Sequence, residues 1–338
     1  MNYKERLMPF LASNDYFIHE FISQSLHDFP DIHFTKALLK EIKKDSVKES
    51  IHLMYLNVEK ADEEVVFYLA EGANHSNPSI AELYQQLIPR LSPDVAMAHM
   101  PLLKPFLSED TWIFYERLMQ GNEDELWPLF FDLLASVHEN EDLYVTVKQL
   151  AATLVRNGWV SEEIIELIFH ENEKQEWFDY NGMIAIYMMK LMGLNHYSER
   201  LAALLTHEGE DMLLDEVSAT LISFQSSNVV EAVAPYLIED IPNIYAISIL
   251  ENLKQKESVE VLSEAYKKVQ SPQAMELIIE ALAHQLDPDA EPVIHDYLKS
   301  DPKYSLVDVP LIAYAYYQII GVRHPMLGEW REDLHSRG

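Results

Sequence analysis

Apolar residues recur along this chain with the spacing of an α-helix, and between Trp159 and about Ser300 the same spacing returns in alternate helices. Val230, Val259 and Ala290 open three successive sets, so the steps are 259 − 230 = 29 and 290 − 259 = 31 residues. A helical pattern that repeats at such a period predicts helical hairpins that stack and share one core. The five aligned sets, at positions i, i+3, i+4 and i+7, are Ser161, Ile164, Ile165, Ile168; Ser198, Leu201, Ala202, Leu205; Val230, Val233, Ala234, Leu237; Val259, Leu262, Ser263, Tyr266; and Ala290, Val293, Ile294, Tyr297.

Helix boundaries can be predicted from residues that start and stop helices. Four dipeptides place a capping side chain before a proline, which needs no N–H partner at the first helical position: Asn77-Pro78, Ser92-Pro93, Ser271-Pro272 and Asp287-Pro288. Pro128 and Pro235 fall inside predicted helices, and each should kink its helix or mark a boundary. The helix pairs predicted in the second half of the chain are 141–157 with 159–169, 174–193 with 195–208, 210–225 with 227–239, 241–255 with 257–269, 271–285 with 288–299 and 304–321 with 324–336.

These two-helix units resemble HEAT repeats, and the first, FLASNDYFIHEFISQSLHDFPDIHFTKALLKEI, resembles them most. The chain lacks the regular Asp-Val-Arg of that family, for which Asp15, Asp215 and Asn243 are the nearest equivalents. The resemblance implies an all-α, right-handed α-α superhelix of the HEAT/ARM kind, here with about ten hairpins. Because no Ser/Gly-rich linker interrupts the pattern, we expect residues 1–338 to form a single continuous solenoid.

The charge of the chain restricts its partners. Fifty-six acidic residues against 25 basic ones give a formal net charge of −31. Such a charge repels the phosphates of nucleic acids and an anionic membrane surface, and no Lys/Arg cluster offsets it locally. We therefore expect neither a nucleic acid nor a membrane as partner. The expected partner is a protein with a basic surface, or a basic peptide.

Two further features suggest a compartment. The chain has no cysteine, so disulfides, thiolate zinc sites and cysteine nucleophiles are excluded, as fits a reducing environment. Lys4, Glu5 and Arg6 with the acids that follow do not form a signal peptide, and the apolar run from Met183 to Met189 is too short to span a bilayer. We expect a cytoplasmic protein.

The repeat register itself supplies the candidate binding residues. In all five aligned sets the residue after the first position is a glutamate: Glu162, Glu199, Glu231, Glu260 and Glu291. Stacked hairpins would arrange these carboxylates in a row that attracts a basic partner. Alternatively, each is a first-turn acid that complements its own helix dipole, and Asn228 with Glu231 has the spacing of a capping box.

Three loops combine imidazole with carboxylates and are the alternative, metal-binding candidates: His138 with Glu141, His170 with Glu173, and His207 with Glu210. These groups could ligate a divalent cation or calcium. Equivalent positions in later repeats hold Glu239, Lys268 and Lys299, so any polar residue is tolerated there. Capping of helix ends explains the loops better than a metal, and we expect no cofactor.

No sequence motif indicates catalysis. The chain offers no nucleophile elbow, phosphate-binding glycine loop or HExxH pair, and the aromatic groups Trp177-Phe178-Tyr180 and Tyr314-Tyr316-Tyr317 are predicted to be core. The leading interpretation is a non-enzymatic scaffold or adaptor that binds another protein through an acidic solenoid groove. A metal- or calcium-binding solenoid and an enzyme with an unrecognised groove site are the alternatives.

Overall fold

The computed structural model describes residues 3–43, 45–175, 177–207, 211–238, 244–300 and 306–337. Within these ranges the chain is all-α, with 22 α-helices, seven 3-10 helices and no strand. The α-helices are α1 Tyr3–Leu7, α2 Tyr16–Ser25, α3 Ile32–Ile42, α4 Ser46–Leu53, α5 Glu63–Gly72, α6 Pro78–Leu87, α7 Pro93–Ala98, α8 Met100–Leu103, α9 Glu109–Gln120, α10 Glu123–Ser136, α11 Leu143–Arg156, α12 Glu162–Asn172, α13 Tyr180–Met192, α14 Ser198–Ala203, α15 Asp211–Phe224, α16 Ser227–Val233, α17 Ile244–Asn252, α18 Lys256–Tyr266, α19 Pro272–His284, α20 Glu291–Lys299, α21 Val309–Ile320 and α22 Leu327–Arg337. The 3-10 helices are Met8–Ala12, Ile88–Arg90, Lys104–Phe106, Asn195–Tyr197, Leu204–Thr206, Ala234–Leu237 and Pro288–Ala290.

The helix starts follow the predicted capping residues. Asn77, Ser92 and Ser271 precede prolines that open α6, α7 and α19, and Asp287 precedes the 3-10 turn that runs into α20. Pro235 marks a boundary as expected, because α16 gives way to the 3-10 helix Ala234–Leu237 there. Pro128 marks none, because it lies inside α10, which continues to Ser136. The all-α class is thus confirmed, whereas the right-handed HEAT-like superhelix stays a prediction.

The repeat register is confirmed in four of the five aligned sets. Leu201, Val230, Leu262 and Ile294, one from each of α14, α16, α18 and α20, are buried. No member of these four sets is exposed. The set in α12 is wrong: Ile165 is buried, but Ile164 is exposed and Ile168 only half-buried. The inward face of α12 is instead formed by Ile165, Phe169 and Asn172, so the helix is rotated relative to the predicted stripe.

The chain divides into two compact units that are not continuous in sequence. Unit 1 comprises Met1–Asn57, Tyr197–His207 and Gln225–Gly338, and unit 2 comprises Val58–His196 and Glu208–Phe224. None of the described helices combines the length and the apolar character needed to cross a membrane.

In unit 1 the two ends of the chain pack together. α1 and α2 contact α21, and the side chain of Arg6 donates to the carbonyl of Leu286 at 2.5 Å and pairs with Asp287. The ring of Phe21 lies edge-on to His284, with 4.8 Å between ring centroids. A linear array would confine contacts to chain neighbours. That expectation fails in unit 1, where the first helices cover apolar faces of the last ones.

In unit 2 the most apolar helix is the most enclosed. α13 is contacted by α11, α12 and α15, and its side chains from Met183 to Met189 are buried except for the half-buried Tyr187. A helix with apolar residues on every side requires neighbours on every side. Gly193, in the left-handed region at φ 67°, ends α13 where a side chain would be strained.

Candidate functional site

The predicted glutamate row falls on outward positions of its helices. Glu199, Glu231 and Glu260 are exposed on α14, α16 and α18, and Glu291 is half-buried at the start of α20. All four lie in unit 1, whereas Glu162, exposed at the start of α12, belongs to unit 2. We call Glu199, Glu231, Glu260 and Glu291 the acidic ladder.

The helices that carry the acidic ladder pack in series. α14 contacts α16, α16 contacts α18, and α18 contacts the 3-10 turn Pro288–Ala290 that leads into α20. Each helix buries its apolar positions, as Val230 and Leu262 illustrate, and this fixes which face points outward. A carboxylate in the same register of each helix therefore repeats from one helix to the next.

Helix-dipole chemistry accounts for only some of these acids. Glu162, Glu199 and Glu291 lie in the first turns of their helices, where a carboxylate is favourable. Glu231 and Glu260 are each the fifth residue of their helices, beyond the first turn. The expected capping box is also wrong, because the N-cap of α16 is Ser226, which accepts a hydrogen bond from the backbone N–H of Asn228.

Three of the five carboxylates have short-range partners. Glu260 lies 3.8 Å from Lys256 one turn earlier, Glu291 accepts a hydrogen bond from the hydroxyl of Tyr317 at 3.2 Å, and Glu162 lies 2.9 Å from Nε2 of His196. Exposed pairs of this type contribute little to stability, commonly about 0–1 kcal/mol.

The described residues of the histidine loops lie in separate contacts and not in one ligand cluster. His138 packs its ring against Tyr180, whose hydroxyl donates to Glu141 at 3.0 Å, and His170 lies 3.7 Å from Glu173. His207 is partly exposed, and Glu210 lies outside the described residues. Among the residues that the structure describes, no group of three His, Asp or Glu side chains could hold a metal ion.

The aromatic groups follow the core prediction at four of their six positions, since Tyr180 is only half-buried and Trp177 is exposed. Tyr314, Tyr316 and Tyr317 of α21 are buried, as is Phe178, but Trp177 is exposed. Trp177 lies in the loop between α12 and α13, and none of the described helices covers its indole ring. Its exposure is therefore a departure from the core prediction.

A part-buried ion pair in unit 2 was not predicted. Lys148 Nζ donates to Glu216 Oε2 at 2.7 Å, and the hydroxyl of Tyr144 donates to the same oxygen at 3.2 Å. The ammonium also lies 4.4 Å from the ring centroid of Tyr187, a cation–π distance. Glu216 is only 5% exposed, and burial together with this carboxylate raises the pKa of Tyr144. The pair joins α11 to α15 across 68 residues, a separation that no local pattern indicates.

Comparison of the chain with protein-family models, with curated proteins and with solved structures finds no match.

Proposed function

We propose that the protein is a non-enzymatic helical-repeat scaffold that binds a basic segment of another protein along the acidic ladder. The observation that carries this proposal is the recurrence of an outward-facing glutamate on helices that pack in series. Two of these glutamates, Glu231 and Glu260, lie beyond the first turn of their helices, so the helix dipole does not account for them. The net charge of −31 adds a long-range attraction for a basic partner.

The length of the complementary segment follows from helix packing. Neighbouring helices lie about 8–10 Å apart, so four in series span roughly 24–30 Å. An extended chain advances about 3.3 Å per residue, so a segment of roughly eight or nine residues covers the acidic ladder. Basic residues spaced along such a segment would meet successive carboxylates. Because three of the four carboxylates are exposed, the attraction would act mainly on the association rate.

Affinity capture from the native cell tests the proposal. The parent is compared with the quadruple variant Glu199→Gln, Glu231→Gln, Glu260→Gln and Glu291→Gln. A control variant with Glu63, Glu82, Glu109 and Glu123 changed to Gln loses the same charge at exposed positions of unit 2. We expect a captured partner with a basic segment, retained by the control and lost by the ladder variant. Equal capture by both variants, with both folded, would contradict the proposal.

A further inference from the structure

α12 carries a second apolar face that its own fold does not use. Ile165 and Phe169 point into unit 2 and are fully buried. Ile164, Leu167 and Ile168 follow the spacing i, i+3 and i+4 on the other side, and Leu167 is 60% exposed. Exposed apolar residues scattered singly need no explanation, but a face of one helix does.

An aromatic face of α10 lies beside this surface. Trp127 stacks on Phe131 with 5.5 Å between ring centroids and 21° between ring planes, and Phe130 packs edge-on beneath both. Phe131 is 55% exposed, whereas Phe130 is buried and anchors the group. Asp124 precedes Trp127 by three residues and Phe131 by seven, so a carboxylate ends the aromatic face.

A groove of about 260 Å³ separates the two faces, lined by residues of α10, α12, α13 and the loop before α13. Its apolar floor consists of Ile184, Ala185 and Met188 of α13. Small-molecule sites usually measure about 300–1,000 Å³. The groove therefore suits one or two side-chain anchors of a protein better than a drug-sized ligand.

Hydrogen bonds hold the polar end of the groove in place. Asn172 donates to the carbonyl of Ile168 at 3.0 Å and accepts from the backbone N–H of Asp179 at 3.1 Å. Asp179 in turn caps α13 by accepting from Gly182 at 3.1 Å. A preformed site loses less conformational entropy when it binds.

The charge of the lining selects the partner. Glu171 and Asp179 are the charged residues that line the groove, and both are acidic. Asp124 adds a third carboxylate at the end of the aromatic face. An apolar groove between helices is a typical docking site for an amphipathic helix, whose anchors recur at i, i+3, i+4 and i+7.

We propose that this groove, on α10, α12 and α13 of unit 2, binds one amphipathic helix of a partner protein, with aliphatic or aromatic anchors and lysine or arginine flanks. The inference is independent of the acidic ladder, which lies in unit 1 and contains none of these residues. The two surfaces can therefore be tested separately.

Fluorescence anisotropy with three labelled model peptides provides the test. The first carries a leucine stripe at helical spacing on a lysine background, the second carries the same stripe on a glutamate background, and the third carries the composition of the first with the stripe scrambled. Phe131→Ser and Ile168→Ser each remove an apolar side chain from the groove lining. Phe131 is exposed and Ile168 half-buried, so folding should survive. Ile113→Ser on α9, at 59% exposed, is the matched control in unit 2.

We expect the lysine-background stripe peptide to bind tightest, and each groove variant to weaken it roughly 10-fold or more, as for other interface anchors. Ile113→Ser should leave this affinity unchanged. The ladder variant should leave unchanged the difference between the striped and the scrambled lysine peptide, because both peptides carry the same charge. Equal binding of the scrambled peptide, or equal affinity of the groove variants, would overturn the proposal. Self-association in light scattering that Phe131→Ser or Ile168→Ser abolishes would also overturn it, by making a second copy of this chain the occupant.

Discussion

The hydroxyl of Tyr314 donates a hydrogen bond to Oδ2 of Asp15 at 2.5 Å, although 299 residues separate them. The other oxygen of the same carboxylate caps α2 by accepting from the backbone N–H of Phe17. One side chain therefore fixes the start of α2 and ties it to α21. Unit 1 depends on both ends of the chain.

Removing this bond should destabilise unit 1. Tyr314→Phe deletes the donor at a buried site and should cost about 1–3 kcal/mol, as for a hydrogen bond to a charged group. Tyr16→Phe is the matched control, since Tyr16 donates to Asp45 at an exposed site. Urea unfolding of both variants measures the two costs. An equal cost would show that the contact between the chain ends adds nothing.

A core position of the repeat gives a second prediction. Leu262 of α18 is fully buried, and Leu262→Ala should lower the free energy of unfolding by about 2–5 kcal/mol through lost burial and a cavity. Met54→Ala, at an exposed position of unit 1, should change it by less than about 0.5 kcal/mol. Thermal unfolding distinguishes the two variants, and a shift below about one degree for Leu262→Ala would refute the register.

Two helical glycines should respond oppositely to alanine. A Cβ on Gly182 would clash with the ring of Phe178 and lie 2.7 Å from the side chain of Asn172, so Gly182→Ala should cost about 1–3 kcal/mol. A Cβ on Gly328 of α22 meets nothing within 4 Å, and Gly328→Ala should gain about 0.5–1 kcal/mol of helix propensity. Denaturant titration gives both values. Stabilisation by Gly182→Ala would show that α13 can move away from the loop.

A buried histidine pair predicts acid sensitivity. Nδ1 of His19 lies 2.8 Å from Nε2 of His52, and Nε2 of His19 lies 2.8 Å from the carbonyl oxygen of Ser13. Burial, followed by the neighbouring His19 and Lys48, lowers the pKa of His52 to about 3. Burial also lowers the pKa of His19, although its hydrogen bond to the Ser13 carbonyl acts in the opposite direction.

The sign of the effect follows from proton uptake. The unfolded state binds protons on these rings below about pH 6.5, whereas folding lowers the pKa of both. Their contribution to stability is therefore complete above that pH and is lost as the pH falls, down to about pH 3 for His52. Each such proton should reduce the free energy of unfolding by about 1.4 kcal/mol per pH unit. His52→Gln should flatten this slope between about pH 6.5 and pH 5, where fewer carboxylates titrate. The exposed His170→Gln should leave it unchanged, and a parent without the slope would contradict the prediction.

Much of the fold follows from local patterns. Asn77 and Ser271 before proline predict helix starts because capping is decided within one turn. The burial of Leu262 and Val230 follows from a helical period repeated in successive units. The rotation of α12 could not be predicted, since its sequence has apolar residues on two sides and only tertiary packing selects between them.

The candidate site divides in the same way. The spacing of Glu231 and Glu260 is a sequence observation, whereas their position beyond the first helical turn depends on where α16 and α18 begin. The Lys148–Glu216 pair and the Tyr314–Asp15 bond join distant residues, and no single-sequence pattern reports such contacts. The apolar residues on two sides of α12 are the only feature of the sequence that indicates the groove.

The association rate of a basic peptide across a salt series tests the central claim most directly. A labelled peptide of alternating lysine and glycine, with about nine residues to cover four helices, avoids apolar anchors and so reports on charge alone. We expect the rate to fall steeply as the screening length shrinks to about 8 Å near physiological salt. Changing Glu199, Glu231, Glu260 and Glu291 to Gln should lower the rate and flatten the salt slope. The control at Glu63, Glu82, Glu109 and Glu123 should change both much less. Rates and slopes that coincide for the two variants would contradict the acidic ladder as the binding surface.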